Sequence, residues 1–207
     1  MPGLNADLLH TDDLGAQLLD SQIPQAVTEI LRAVGEDPTR EGLQRTPERV
    51  ARMYEELTEG YHVDPEKLIN EAIFDVDYDD MVIVRDIDYA SLCEHHMLPF
   101  LGRAHVAYLP RGKVIGLSKI PRIVEMFARR LQVQERMTME IADFLMTHLH
   151  PKGVAVVVEG QHLCSMIRGV RKPNSTMVTS AMRGGFRSDQ RTRSELMALL
   201  RLHQHQD

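Results

Sequence analysis

Tryptophan is absent from this chain of 207 residues, and aromatic residues account for only 5% of it. Such a composition disfavours a nucleic-acid reader that stacks bases on aromatic rings. The chain has two cysteines about seventy residues apart, which excludes a disulfide framework and favours a reducing compartment. The N-terminal stretch lacks the apolar segment of a signal peptide, and no apolar run approaches the roughly 20 residues of a membrane helix. These absences predict a cytoplasmic protein that uses neither a membrane nor nucleic acid.

The charge of the chain is unevenly distributed, although the net value is only −6. Residues 1–100 hold 22 acidic against 7 basic residues, a balance of −15, whereas residues 101–207 hold 8 against 17, a balance of +9. Packing between oppositely charged halves or subunits is one interpretation. The other is an anion pocket in the second half, since clustered positive charge concentrates anionic ligands. Because the whole chain is acidic, a small phosphorylated ligand fits this second interpretation better than nucleic acid does.

The first 60 residues contain two segments with the apolar spacing of helices. The first covers residues 23–34, and Gly35 is a typical residue just past a helix end. Thr46 and Pro47 are typical of the N-cap and first position of a second helix, which we expect to end at Gly60. Helices therefore precede the strands in this chain.

The rest of the chain predicts an α+β fold. Strands are predicted over 81–88, 101–109, 113–117, 153–159 and 176–182, and helices over 120–128, 133–148 and 188–202. The strand over 113–117 is expected to form a hairpin with the one before it, because the loop between them contains Pro110 and Gly112. Residues 1–20 are expected to be a loosely ordered leader and residues 62–80 an irregular acidic connection. We expect one domain over 21–207, with a helical part to about residue 60 and the sheet from about residue 80.

Each of the two cysteines lies close to a histidine. Cys93 and His96 form a Cys-x-x-His pair, and Cys164 follows His162 by two residues. Three protein ligands with a fourth position left open are typical of a catalytic zinc site, whereas structural zinc normally has four. His95 and His162 would then be free for proton transfer beside the metal. The alternative is that each cysteine is only a small buried apolar residue.

Basic residues cluster at two places in the second half. Ser118, Lys119 and Arg122 lie at the start of a predicted helix, where free N–H groups and basic side chains can bind phosphate. The alternative is an ordinary serine cap followed by solvated basic residues. Arg168 lies in a basic turn four residues after Cys164, and it too can be either solvated or part of a polyphosphate pocket.

The pair Gln134 and Glu135 begins another predicted helix. An acidic residue in a first helical turn is common, because it interacts favourably with the helix dipole. A carboxylate beside an amide can also recognise the N–H donors on the Watson–Crick edge of a purine. Both interpretations remain open at this point.

Taken together, these segments closely resemble the GTP cyclohydrolase I family. The resemblance covers about residue 21 to the end and rests on six segments in the same order and spacing: TPERVARMY (46–54), SLCEHH (91–96), VIGLSKIPR (114–122), QVQER (132–136), HLCSMIRGV (162–170) and TSAMRGGF (179–186). It implies the tunnelling fold, an antiparallel sheet with two packed helices and an N-terminal helical extension. It also implies that the sheets of five subunits pair into a barrel and that two such rings form a homodecamer.

The resemblance also implies a role for individual residues. Cys93, His96 and Cys164 match the zinc ligands, one ion per subunit, and His95 and His162 match histidines beside the metal. The remaining matches are Gln134 and Glu135 for guanine, Lys119, Arg122 and Arg168 for the triphosphate, Arg49 for a triphosphate contact from a neighbouring subunit, and Ser118 for a later rearrangement of the ribose. His162 is implied to be the acid that protonates the imidazole ring of the purine.

The implied activity is hydrolysis and rearrangement of GTP to 7,8-dihydroneopterin triphosphate with release of formate, an early step of folate or other pterin synthesis. Two alternatives are another tunnelling-fold enzyme acting on a pterin or purine, and a non-catalytic protein that uses zinc for stability. A reductase of that fold would need a dinucleotide, and the chain has no glycine motif for one. The open ligand position and the additional histidines favour an enzyme over a scaffold.

Overall fold

The computed structural model describes residues 22–69 and 72–201, so the predicted leader over 1–20 lies outside the described residues. The chain divides into two compact units, with the boundary between Glu59 and Gly60. In the first unit, α1 (Ile23–Ala33) and α2 (Thr46–Thr58) confirm the two predicted helices. Gly35 has a φ of +87°, a left-handed conformation that glycine adopts without strain and that ends α1. Helix α2 begins one residue earlier than predicted, at Thr46, and a 3-10 turn over Glu59–Tyr61 follows it.

The second unit holds the sheet and the remaining helices. Its elements are α3 (Pro65–Ile69), β1 (Ile73–Asp75), β2 (Val82–Cys93), β3 (Pro99–Leu109), β4 (Lys113–Ile115), α4 (Lys119–Ala128), β5 (Leu131–Gln132), α5 (Gln134–Leu149), β6 (Gly153–His162), α6 (Leu163–Met166), β7 (Met177–Gly184), α7 (Gly185–Ser188) and α8 (Gln190–Arg201). The predicted strands and helices after residue 80 are present, with ends that differ by a few residues. None of the helices within the described residues is long and apolar enough to cross a membrane.

A five-stranded sheet in the order β5-β2-β3-β6-β7 forms the centre of this unit. Its long pairs are antiparallel, and only the short β5 runs parallel to β2. Alternation along β6 sends Val154, Val156 and Val158 to one face, where α4 and α5 complete the main core. Ala155 lies on the other face, in a smaller cluster with Leu196 of α8. The antiparallel sheet with two packed helices therefore agrees with the predicted α+β class.

The predicted hairpin between β3 and the strand after it is wrong. Strand β4 pairs instead with β1, in a separate two-stranded sheet with Phe74 opposite Val114. Both edges of β3 are already occupied, since Tyr108 lies opposite Val82 of β2 and opposite Val154 of β6. The region over 62–80 is also less irregular than predicted, because it contains α3 and β1.

Candidate active site

The pairing of β3 with β6 brings the two cysteine segments together. Phe100 at the start of β3 lies opposite His162 at the end of β6, so the loop before β3 and the turn after β6 are neighbours. The loop is a tight turn in which the Cys93 N–H donates to the carbonyl of Leu98 at 2.9 Å. Met97, with a φ of 52°, closes this turn and donates its N–H to the Cys93 carbonyl. Both parts of the site thus lie at strand ends on a rigid sheet.

Cys93, His96 and Cys164 form a group that could hold a metal ion. Their nearest donor atoms all lie within 4.8 Å of one another. Zinc–ligand bonds of about 2.0 to 2.3 Å place tetrahedral ligands roughly 3.5 to 4 Å apart, so a small adjustment would close this group around an ion. Two sulfurs and one imidazole are also a donor set that zinc prefers over magnesium or calcium. The predicted ligands are therefore together, and within the described residues no fourth protein ligand joins the group.

The pKa of the Cys164 thiol reflects its surroundings in the candidate site. Burial raises the pKa of the Cys164 thiol above its ordinary value, and the neighbouring Cys93 thiol raises that pKa further. Arg168 acts on the same thiol in the opposite direction, which places its positive charge near the site. Two thiolates at this separation repel each other, and a cation between them would remove that repulsion.

The two additional histidines lie beside this group. His95 Nδ1 is 3.8 Å from the Cys93 sulfur. His162 is half-buried, and its ring stacks on Phe100 with the centroids 4.6 Å apart and the planes within 2° of parallel. Burial lowers the pKa of His162, whereas the nearby Glu135 carboxylate raises it. The prediction that both histidines lie near the metal ligands is consistent with this geometry.

Gln134 is fully buried, and its side chain is bonded within the chain. Its Oε1 lies 2.9 Å from His162 Nε2. Its Nε2 faces the carbonyls of Val158 and Met177, each at 3.1 Å, and the Thr179 hydroxyl at 3.2 Å. Its neighbour Glu135 is exposed, so the two members of the predicted guanine-recognition pair lie in different surroundings.

Glu94 occupies a position that sequence reasoning did not assign. Its carboxylate accepts a hydrogen bond from Arg136 in the first turns of α5, and its N–H donates to the Gln132 carbonyl at 3.1 Å. Arg136 also donates to the Gln132 side chain at 3.2 Å. These bonds fasten the Cys93–His96 loop to the start of α5. The sequence signal was the opposite charge of Glu94 and Arg136 in two neighbouring segments.

The predicted phosphate-binding residues are exposed or half-buried, and among them Arg168 has a described electrostatic effect on the cysteine group. Ser118 is the N-cap residue of α4, but its hydroxyl makes no capping hydrogen bond. Lys119 and Arg122 lie in the first turn of that helix. Arg49 is exposed in α2 and donates to the carbonyl of Gly42 at 3.3 Å within the first unit. These residues thus lie on α2, on α4 and in the turn after α6.

The sequence was compared with known proteins. It matches the model of the GTP cyclohydrolase I family over residues 23–201. It is 58% identical over 194 residues to GTP cyclohydrolase 1 of Chlorobaculum tepidum, a match that covers 94% of this chain and 86% of that protein. It is 54% identical over 183 residues to GTP cyclohydrolase 1 of Coxiella burnetii, which is covered in full, with 88% of this chain. The chain therefore belongs to the GTP cyclohydrolase I family.

Proposed function

We propose that this chain is a GTP cyclohydrolase I that converts GTP to 7,8-dihydroneopterin triphosphate and formate with the help of zinc. The observation that carries this proposal is the open Cys93, His96 and Cys164 group with His162 beside it. A protein that used zinc only for stability would be expected to fill the fourth ligand position. Bound zinc, one per subunit, would supply a water molecule activated for hydrolysis near neutral pH.

The side chains of the site are proposed to carry out the proton transfers and the rearrangement of the ribose. His162 gives a proton to the imidazole nitrogen of the purine as C8 is attacked, so that negative charge does not build up on the ring. His95, close to the Cys93 sulfur, is a second proton carrier for the hydrolysis that expels C8 as formate. Ser118, with a hydroxyl not used for capping, is proposed to take part in the later rearrangement of the ribose.

Different residues are proposed to recognise the guanine base and the triphosphate of GTP. The Glu135 carboxylate accepts from the N1–H and the 2-amino group of guanine, neither of which adenine offers at those positions. Lys119, Arg122 and Arg168 bind the triphosphate, and Arg49 adds a contact from a neighbouring subunit. The exposed state of Glu135 and Arg168, both acting electrostatically on the site, supports their access to a ligand.

The proposed activity is tested by incubating the zinc-loaded chain with GTP. We expect stoichiometric formate together with a product that becomes a fluorescent pterin after oxidation. A chain that binds zinc and GTP but releases no formate would instead be a nucleotide-binding scaffold. Formate release without a fluorescent pterin would contradict the rearrangement and leave only the hydrolytic steps.

Replacement of Glu135 by alanine should weaken the preference for guanine. A hydrogen bond to a charged group contributes about 1.5 to 3 kcal/mol, so we expect a loss of tenfold or more, roughly, in kcat/KM for GTP. The loss should be smaller for inosine triphosphate, which lacks the 2-amino group. Asp143→Asn removes another exposed carboxylate of α5 and serves as the control. An unchanged ratio between the two substrates in Glu135→Ala would contradict the assignment.

Replacement of Arg168 by alanine should act on substrate binding more than on chemistry. Loss of a charge-assisted contact to phosphate is expected to raise KM for GTP by about tenfold and to change kcat little. The effect should decrease from GTP to GDP to GMP as phosphate groups are removed. Lys172→Ala removes a nearby exposed positive charge and is the matched control. An equal rise in KM for all three nucleotides would show that Arg168 does not contact the terminal phosphates.

The proposal includes assembly into a homodecamer of two five-membered rings. In the described residues the sheet ends in β5 on one side and β7 on the other, so β7 has a free edge. Val178 on β7 is 60% exposed, as expected for a strand that another subunit would cover. The mass of the native protein in solution tests the assembly, and a monomer at micromolar concentration would contradict it.

A further inference from the structure

The Gln134 side chain lies close to the backbone of β6, where a glycine leaves space for it. Its side chain is 0% exposed, at the first position of α5, and it reaches across the sheet to β6 and β7. Gly160 of β6 makes this approach possible, because a Cβ at that position would lie 2.3 Å from Gln134 Oε1 and 2.6 Å from the Tyr89 hydroxyl. A buried amide of this kind is a costly feature unless all its hydrogen bonds are made.

The surrounding groups allow only one orientation of the Gln134 amide. Nε2 faces the carbonyl oxygens of Val158 and Met177, which can only accept. A flipped amide would place Oε1 against these two oxygens and leave Nε2 facing the imidazole. The observed orientation satisfies both N–H groups and leaves Oε1 as a pure acceptor.

Two threonine hydroxyls support the same assignment of hydrogen-bond donors and acceptors. Thr138 donates to the Gln134 backbone carbonyl at 2.6 Å, so its hydroxyl hydrogen is already used. Thr179 lies 2.7 Å from the Thr138 hydroxyl and must therefore be the donor in that bond. The Thr179 oxygen is then available only as an acceptor, which again matches the N–H side of the amide. The hydroxyl hydrogens of both threonines are thus assigned to specific acceptors.

The orientation of the Gln134 amide determines which nitrogen of His162 carries a hydrogen. Because Gln134 Oε1 can only accept, the contact at 2.9 Å requires a hydrogen on His162 Nε2. The neutral ring then has its lone pair on Nδ1. The ring also stacks on Phe100 with the planes within 2° of parallel, which holds the imidazole in this plane.

We propose that Gln134 is a positioning residue: its Oε1 accepts the Nε2 hydrogen of His162 and fixes the orientation in which the imidazole meets the substrate. The inference rests on the proposed function for the identity of the substrate. The Nε2 hydrogen stays on His162 and is donated to Gln134 Oε1. The proposal uses the Gln134 side chain to orient His162 rather than to contact guanine, because that side chain is fully buried and bonded within the chain.

The test compares Gln134→Met with the parent protein, both zinc-loaded, on GTP and on inosine triphosphate. Methionine has a similar length and cannot accept the Nε2 hydrogen, so the histidine loses its fixed orientation. Groups that orient a catalytic histidine or ligand usually contribute 10–100-fold, roughly, and we expect a loss of that size in kcat. KM and zinc content should change little, and the loss should be the same for both nucleotides.

Two controls separate this role from general damage to the core. Met137→Leu changes another fully buried residue of α5 that lies outside the network and should leave kcat near the parent value. Nitrogen-15 NMR of the imidazole in the parent protein reports the tautomer directly, without turnover, and should show the neutral ring protonated at Nε2. This measurement also decides the question if Gln134→Met does not fold.

Several results would overturn the proposal. One is a kcat for Gln134→Met within about threefold of the parent value. Another is a loss confined to KM or larger for GTP than for inosine triphosphate, which would indicate a base reader. The third is a neutral His162 with its hydrogen on Nδ1. Failure of the proposed function itself is seen differently, as a parent protein that releases no formate while its tautomer remains measurable.

Discussion

Replacement of Cys164 by alanine is expected to remove both the bound zinc and the release of formate. Loss of one of three ligands leaves Cys93 and His96, a pair that cannot hold an ion tightly. Changes in outer-shell partners of a metal already cost roughly 10–100-fold in affinity or activity, so loss of a ligand should exceed about 100-fold. Zinc content by mass spectrometry and formate by a coupled assay measure the two losses.

Cys164 is the better of the two thiols for this experiment. Cys93 is 5% exposed and packs in the main core, so its replacement would also create a cavity. Cys164 is only partly buried, and Met166→Leu in the same short helix controls for a change of packing there. Full activity in a metal-depleted Cys164→Ala protein would contradict the proposed mechanism.

Replacement of His162 by alanine should have the second large effect, with the opposite result for the metal. General acid–base catalysis contributes roughly 10²- to 10⁴-fold, so we expect a decrease in kcat of that size while zinc stays bound. Added imidazole should restore part of the activity, because the deletion leaves a space beside Phe100. Measurement of kcat and zinc content on the same samples keeps the two properties separate.

Gln161→Ala is the matched control for His162→Ala, because it changes an exposed neighbour in the same strand. Its kcat should equal that of the parent protein. A loss of zinc in His162→Ala would show that the imidazole is a ligand rather than an acid. Turnover within about threefold of the parent value would exclude an essential proton transfer by this residue.

The candidate metal ligands could be recognised in the sequence because their signal is local. Cys93 and His96 are three residues apart, and Cys164 has a histidine two residues before it, so donors of the right type stand out in the sequence. The long strands could be predicted for a similar reason, since β2 and β6 alternate or run apolar over many residues. Short elements carry less of this signal, and the three-residue β1 in an acidic stretch was missed.

The environment of Gln134 could not be predicted, because the groups that bind it are distant in sequence. Its amide partners Val158 and Thr179 are 24 and 45 residues away, and only the register of β6 and β7 brings them to the helix. The Glu94–Arg136 pair is separated by 42 residues and has the same difficulty. The sequence therefore reveals the candidate metal ligands of this site but not the hydrogen bonds around them.

The register of β3 against β6 has a consequence for how the protein matures. During synthesis the Cys93–His96 loop emerges about seventy residues before Cys164, so an early chain holds only two of the three ligands. The third arrives when β6 docks on β3, a non-local pairing of the kind that forms slowly. A slip of one residue would turn the β6 side chains to the opposite face and separate the ligands. Zinc that binds as proposed would therefore report that this ladder has closed in the correct register, and its uptake can be followed in refolding experiments as a late event.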